Sequence, residues 1–189
     1  IPPNIKMIVR ETSNADISIS KRKHTLLFFL INRVCYPRLN RIVCQCSSMR
    51  NSMLQEYNVT DLLTTINNPV DVMHIVQMAR SKILYLNSKK INILAVGRLT
   101  FQKGFDLLLE AFALIKDDKY HLTILGEGPD QEKLAAQIKA LDLEGRVDLL
   151  GLKTNPYIYM SQAQMLVLSS RYEPFANVVL EANACGVPV

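Results

Sequence analysis

Short apolar runs alternate with amphipathic stretches along the second half of the chain. Two of these stretches, residues 105–115 and 131–141, repeat their apolar positions at helical spacing, and Asp130 is suited to cap the second one. The apolar runs have the length and continuity of strands buried on both faces: residues 91–96, 121–125, 147–150 and 165–168. Strands that alternate with helices through short connections form parallel sheets with right-handed crossovers. The pattern therefore predicts a doubly wound, Rossmann-like α/β domain.

The first part of the chain has a less regular pattern. Strands are predicted at residues 5–9, 41–45 and 63–66, and helices at residues 23–36 and 49–57. The sequence Asn-Asn-Pro at residues 67–69 is typical of a turn. We interpret residues 1–70 as the end of a first α/β domain, and residues 71–189 as a connecting segment followed by the second domain. The chain begins at Ile1 without a methionine and ends where a strand is starting, so we expect truncation at both ends.

Two cations follow the first strand of the second domain. Gly97 permits close backbone approach at this point, and Arg98 and Lys103 lie at the mouth of the next helix. Ligands of parallel sheets bind at the carboxyl ends of the strands, and both an arginine fork and a lysine point charge bind phosphate oxygens. In isolation, the same residues also fit a surface loop with two solvated cations.

Two carboxylates accompany a second helix start near the end of the chain. Glu173 lies in the loop after the last strand, and Glu181 lies about one turn inside a helix predicted at residues 177–185. A helical side chain leans toward the N-terminus, so Glu181 is expected to approach whatever Glu173 approaches. Free backbone amides at the helix start favour an anion. A phosphate seat beside two hydroxyl-binding carboxylates suits a nucleotide-sugar, whereas the simpler alternative is that Glu173 only caps the helix.

Composition excludes several classes of protein. The apolar content of 49% is that of a globular protein, and the longest apolar run, residues 26–31, is too short to span a bilayer. The four cysteines lack paired C-x-x-C spacing, so we interpret them as reduced thiols of a cytoplasmic protein. No Asp-x-Asp motif is present and no histidine has a second ligand nearby in sequence, so no metal site is predicted.

Charge is distributed unevenly. Residues 1–90 carry 13 Lys and Arg against 5 Asp and Glu, whereas residues 91–189 carry 9 against 12. A basic first half indicates an anionic partner such as a membrane surface or a phosphorylated lipid, or else a solvated basic surface. Because no basic groove with interleaved aromatics or zinc-finger pattern is present, nucleic acid is not an expected partner.

Several motifs occur together in the order found in one enzyme family. They are Gly97-Arg-Leu with Lys103-Gly104, Gly126-Glu-Gly-Pro129, Gly151, and Glu173-x-Phe175 with Glu181 in E-x7-E spacing. This set resembles retaining glycosyltransferases of family 4, and members that assemble bacterial surface glycans are the most similar. The resemblance covers residues 91–189 and reaches back to residues 66–71, which are similar to the interdomain segment of the family. It implies the GT-B type architecture of two Rossmann-like domains with parallel sheets, with residues 1–70 on the acceptor side and the nucleotide-sugar donor domain after them.

The resemblance also implies a role for each matching residue. Arg98 and Lys103 would bind the donor diphosphate and stabilise the leaving group, and Glu173 would contact the transferred sugar, so these three are the expected catalytic residues. Glu181 would bind the ribose hydroxyls. Other residues would line the rest of the donor. Gly97 would lie at the diphosphate, and Gly151 and Leu152 would lie at the base. The distal phosphate would be contacted by Phe175, Ala176, Asn177 and Val178. Ala176 stands where the family often has glycine, which is compatible with a negative φ.

The implied reaction transfers a sugar from a UDP-sugar or GDP-sugar to a hydroxyl acceptor, with retention and without a metal or other cofactor. The implied acceptor is a glycan or a polyprenol-linked saccharide, reached by a cytoplasmic protein that contacts the inner membrane face through its basic first half.

Two alternatives remain from the residues alone. A nicotinamide-dependent oxidoreductase would need a glycine-rich turn after the first strand of the domain, where Arg98 and Lys103 stand instead. The motif at residues 126–129 lacks the third glycine of that fingerprint, so we interpret it as a turn before a helix. A fragment that binds nucleotide-sugar without catalysis is the second alternative, and comparing turnover with donor binding would separate the two.

Overall fold

The computed structural model describes residues 5–12, 25–57, 59–80, 86 and 89–189. The chain divides into two compact units, Ile1–Pro69 and Val70–Val189. Each unit contains its own parallel sheet with helices between successive strands, which confirms the predicted α/β class.

The first unit contains a three-stranded parallel sheet in the order β1-β2-β3. Its strands are β1 (Ile8–Arg10), β2 (Arg41–Cys44) and β3 (Leu63–Thr65), and its helices are α1 (Thr25–Cys35) and α2 (Ser47–Glu56), with 3-10 turns at Tyr36–Arg38 and Thr60–Leu62. Residues 23 and 24, where the first helix was predicted to begin, lie outside the described residues. Ile42 at the centre of the sheet packs with Met49 and Met53 of α2, and all three are fully buried.

The second unit contains a four-stranded parallel sheet in the order β6-β5-β4-β7. Its strands are β4 (Ile91–Val96), β5 (Tyr120–Leu125), β6 (Val147–Leu149) and β7 (Met165–Leu166). Its helices are α3 (Val72–Ala79), α4 (Phe105–Ala113), α5 (Gln131–Ala140), α6 (Tyr157–Met160) and α7 (Asn177–Ala184), with a 3-10 turn at Phe101–Lys103. The chain proceeds outward from β4 to β6 and then returns to the other side of β4. This reversal is a topological switch point, where parallel sheets open a crevice at the carboxyl ends of the strands.

Both faces of the second sheet are covered. Ile93 and Ala95 of β4 face a cluster built with α4 and α5, whereas the intervening Leu94 faces a cluster built with α6, β7 and α7. Alternating residues of one strand therefore enter two separate cores. This double burial explains why the strands appear in the sequence as continuous apolar runs.

Two local expectations need correction. Asp130 precedes α5, but its side chain makes no capping hydrogen bond, so the predicted cap is wrong. Helix α3 was not predicted, although Asp71 caps it by accepting a hydrogen bond from the His74 backbone N–H at 2.9 Å. Among the helices that the structure describes, none combines the length and hydropathy that crossing a bilayer requires.

Candidate functional site

A cavity of about 750 Å³ opens at the carboxyl ends of β4, β5 and β6. Its lining includes the predicted site residues Gly97, Arg98 and Leu152. The other lining residues are Val96, Leu125, Gly126, Glu127, Gly128, Gln131, Lys153 and Pro156. A mostly apolar cavity of this size with a few polar groups is typical of a site for a small ligand.

The wall of this cavity depends on the glycine at residue 126. Gly126 has φ +141°, and a Cβ there would lie 1.9 Å from the Gly97 carbonyl oxygen. The adjacent Leu99 N–H donates to the Glu127 carbonyl at 2.9 Å, which joins the two loops that follow β4 and β5. The Gly-Glu-Gly-Pro motif thus serves close packing between loops ahead of α5, in agreement with its interpretation as a turn.

Lys103 and Glu173 form an ion pair beside the cavity. The lysine Nζ donates to Glu173 Oε2, which also accepts a hydrogen bond from Ser170 Oγ at 3.2 Å. The lysine stem passes over Gly97, where a Cβ would lie 3.3 Å from its Cδ and Cε. The two charged side chains are only 20% and 17% exposed, so solvent screens their interaction less than that of a surface pair.

Arg98 lies next to this pair but in a different environment. It is the second residue after β4, it is exposed, and it lines the cavity. Within the part of the chain that the structure describes, Arg98 has no ion-pair partner. Its positive charge is therefore available to an anionic group that occupies the cavity.

Glu181 lies within α7, the helix that follows the loop of Glu173. Burial raises the pKa of its carboxyl group. Burial followed by the charge of Glu181 also raises the pKa of Tyr157 and of Cys185, which places both groups near this carboxylate. A half-buried carboxylate is suited to accept hydrogen bonds from ligand hydroxyl groups.

The remaining predicted residues lie around the start of α7 and the end of β6. Ala176 precedes the helix with φ −87°, a value that alanine adopts without strain, and it provides no side-chain cap for the first turn. The Gly151 carbonyl accepts a hydrogen bond from Gly126 N at 2.9 Å, which fixes the loop that carries Leu152. The described cavity lining does not include Glu173, Glu181 or residues 175–178. The predicted residues therefore form two groups, one that lines the cavity and one around the ion pair and α7.

Sequence reasoning missed several residues of this region. Glu127, Gln131 and Lys153 bring polar groups to the cavity. These residues could have been found from the sequence, because each follows a strand or begins a helix at the same edge of the sheet. Arg171 and Asp106, which link the loops of Lys103 and Glu173, gave no signal beyond closeness in sequence to those residues. Among the described residues, no group of three or more His, Cys, Asp and Glu side chains is arranged to hold a metal ion.

The chain spans about half the length of the curated relatives that it matches. It is 33% identical over 187 residues to an N-acetylgalactosaminyltransferase of Campylobacter jejuni, whose substrate is named as N-acetylgalactosamine-N,N'-diacetylbacillosaminyl-diphospho-undecaprenol. That alignment covers 97% of this chain and 50% of the relative.

Solved structures of the same fold include two with close backbone agreement. Anabaena Alr3699/HepE, in complex with UDP and glucose, has a TM-score of 0.81 at 19% identity over 97% of this chain and 52% of that one. Sucrose-phosphate synthase from Thermosynechococcus elongatus has a TM-score of 0.81 at 22% identity over 100% of this chain and 50% of that one. These likenesses confirm the predicted GT-B fold class.

The family model of the group 1 glycosyl transferases matches residues 77–189, which include the cavity, the ion pair and Glu181. The matched segment comprises more than half of the chain. The chain therefore belongs to the group 1 family of glycosyl transferases.

Proposed function

We propose that this chain carries the donor site of a retaining glycosyltransferase of family 4. The reaction moves a sugar from a nucleoside-diphosphate-sugar to a hydroxyl acceptor. The observation that carries the proposal is the arrangement at the switch point of the second sheet, where Arg98 faces a 750 Å³ cavity and Lys103 is paired with Glu173 beside it. Residues 1–70 are the acceptor-side part and residues 71–189 the donor part in this proposal.

The cavity and the ion pair suit different parts of the donor. The cavity over β4, β5 and β6 has room for the nucleoside, with Leu152 and the Gly151 main chain beside the base. Arg98 and Lys103 bind the diphosphate, and Glu181 binds the ribose hydroxyls. Residues 175–178 provide main-chain contacts to the distal phosphate, and Glu173 lies where the transferred sugar adjoins Lys103.

Catalysis in this proposal is electrostatic. The departing nucleoside diphosphate gains negative charge as the glycosidic bond breaks, and Arg98, Lys103 and the N-terminus of α7 stabilise that charge. These groups supply the positive charge that a divalent metal supplies in other transferases, so the mechanism is metal-independent. Glu173, held by Lys103 and Ser170, positions the sugar.

The acceptor in this proposal is a growing glycan or a polyprenol-linked saccharide used in bacterial surface-glycan synthesis. The name of the Campylobacter jejuni relative, with its diphospho-undecaprenol-linked substrate, supports this class of acceptor. The excess of Lys and Arg in residues 1–90 supports contact with an anionic membrane surface at the cytoplasmic face.

Calorimetry with UDP and GDP in the presence of EDTA tests the donor site. We expect one of the two nucleotides to bind with micromolar affinity, and loss of all binding in EDTA would contradict the metal-free account. Turnover with the corresponding nucleotide-sugar and a polyprenol-linked saccharide then separates a transferase from a protein that only binds the donor. Proton NMR of the fresh product reads its anomeric configuration, and an inverted product would contradict retention.

A further inference from the structure

Lys103 and Glu173 lie on two loops that are 70 residues apart in sequence. The first loop follows β4 and contains the 3-10 turn Phe101–Lys103, and the second follows β7 and leads to α7. The distance between the two charged groups therefore depends on how these loops are joined. The proposed donor site requires both groups in fixed positions.

The backbones of the two loops are linked directly. Arg171 N donates to the Gln102 carbonyl at 2.8 Å, and Gln102 Nε2 donates to the Tyr172 carbonyl at 3.2 Å. Ser169 Oγ donates to the carbonyl of Lys103 itself at 2.8 Å. Residues just before Glu173 in the second loop are thus bonded to Gln102 and Lys103 in the first.

The side chain of Arg171 adds a second layer to this joint. Its Nη1 and Nη2 donate to Asp106 Oδ1 and Oδ2, each at 2.7 Å, in a parallel two-point contact. Nη1 also donates to the Phe101 carbonyl at 2.8 Å, and the guanidinium lies 4.0 Å from the centre of the Phe101 ring. Hydrogen bonds from Arg171 lower the pKa of Asp106, as expected for a charge-assisted pair. Such a pair fixes the plane and the direction of the guanidinium and not only its distance.

We infer that Arg171, held by Asp106, is a positioning residue that keeps Lys103 and Glu173 together for the donor diphosphate. This inference rests on the proposed function. The described hydrogen bonds of the Arg171 guanidinium all go to Asp106 and Phe101. Its effect on the donor therefore passes through Lys103 and not through a contact of its own.

A double-mutant cycle of nucleotide affinity tests this dependence. UDP and GDP are titrated into the wild-type protein and into Arg171→Met, Lys103→Ala and the double variant. We expect Arg171→Met to lower the affinity for the bound nucleotide about tenfold, which is the loss typical of one charge-assisted hydrogen bond. In the Lys103→Ala background the same change should weaken affinity less than twofold, because the group being positioned is already gone. A merely structural role would weaken binding by the same factor in both backgrounds.

Further variants control for folding and for the site of action. Asp106→Asn keeps the size of the side chain and should reproduce the pattern if Arg171→Met does not fold. In the Glu181→Gln background the full tenfold loss should persist, because Glu181 lies on α7 and not on the joined loops. Lys119→Met breaks a surface pair with Asp117 (2.7 Å) just before β5 and should leave affinity unchanged.

The outcomes separate this inference from the proposed function. Failure of the wild-type protein to bind either nucleotide would overturn both. Normal nucleotide binding by the wild type, with an equal Arg171→Met loss in the presence and absence of Lys103, would overturn the positioning role alone. An unchanged affinity in both Arg171→Met and Asp106→Asn would do the same.

Discussion

Lys103 and Arg98 carry the same charge in different surroundings, and this difference sets the expected result of removing each one. Lys103→Ala removes a cation and also leaves the part-buried Glu173 without its cationic partner, so this carboxylate would then repel the diphosphate of the proposed donor. Arg98→Ala removes only an exposed cation that lines the cavity.

We therefore expect both substitutions to lower kcat, by about 100-fold or more for Lys103→Ala and by less for Arg98→Ala. Steady-state kinetics with saturating donor measures this, with Lys119→Ala as the control for a cation at the opposite end of the sheet. A near-normal kcat in either variant would contradict the role of that residue.

Glu173 and Glu181 belong to one motif but occupy separate places. Glu173 is bonded to Lys103 and Ser170 in the loop, whereas Glu181 is half-buried on α7 near Tyr157. We expect Glu181→Gln mainly to raise the donor KM, because a ribose contact is equal in ground and transition states. Glu173→Gln should mainly lower kcat, because sugar positioning matters as the glycosidic bond breaks. Equal losses of kcat would refute this division, and a lower melting temperature with intact kcat would show that Glu173 serves the fold.

The raised pKa of Glu181 has a consequence for stability. Burial disfavours the charged form in the folded state, so the folded protein retains the proton at a pH where the unfolded chain releases it. The stability that this group contributes is present below its unfolded pKa and is lost as pH rises through the folded pKa. Glu181→Gln removes this dependence.

We expect the melting temperature of Glu181→Gln to exceed that of the wild type at pH 8, and the difference to shrink toward pH 4. Thermal melts across this range test the sign, with Glu144→Gln in an exposed turn as the control. A difference that is constant with pH would show that the substitution acts through packing.

At the level of elements, the loop after β4 is constrained by the approach of the loop after β7. Gly104 ends the 3-10 turn with φ +63°, and a Cβ there would lie 2.2 Å from the Ser169 carbonyl oxygen. Gly145 has φ +80°, and no atom lies within 4 Å of an added Cβ. A substitution at Gly145 therefore measures the cost of backbone strain without a steric clash.

We expect Gly145→Ala to lower the free energy of unfolding by about 1 kcal/mol through backbone strain alone. Gly104→Ala should lower the free energy of unfolding by about 2 kcal/mol more than Gly145→Ala does, because the loops after β4 and β7 must also separate. Urea unfolding of both variants measures the two values, and equal losses would show that the loops adapt without cost.

The order of strands and helices in the second unit could be predicted because β4 and β5 are buried along most of their length, which gives continuous apolar runs. The helices α4 and α5 bury one face each, which gives apolar residues at helical spacing. The sequence also indicates that Arg98 and Lys103 follow a strand, since ligands bind at that edge. The joint between Arg171 and Asp106 could not be predicted, because it depends on β7 lying next to β4 in the sheet. Helix α3 was missed since its start signal, Asp71, follows a turn sequence that suggested irregular structure.

For the whole molecule, the hydrophobic cores follow the division into two units. One buried cluster lies among residues 36–63, and the other two lie among residues 86–187. All residues assigned to the donor site, from Gly97 to Glu181, belong to the second unit, whereas the excess of basic residues lies mainly in the first. Donor binding and contact with an anionic surface are thus expected from different parts of the chain.

This separation leads to an expectation for the isolated units. Residues 70–189 contain two buried clusters and their own four-stranded sheet, so we expect them to fold alone and to bind the same nucleotide as the whole chain, within about threefold in affinity. Residues 1–69 should not bind it. Circular dichroism and calorimetry on the two pieces measure folding and affinity, and Lys103→Ala within residues 70–189 provides the matched control for binding at the proposed site. A folded piece of residues 70–189 that fails to bind the nucleotide would show that the first unit supplies essential donor contacts, and the donor site assigned here would then be incomplete.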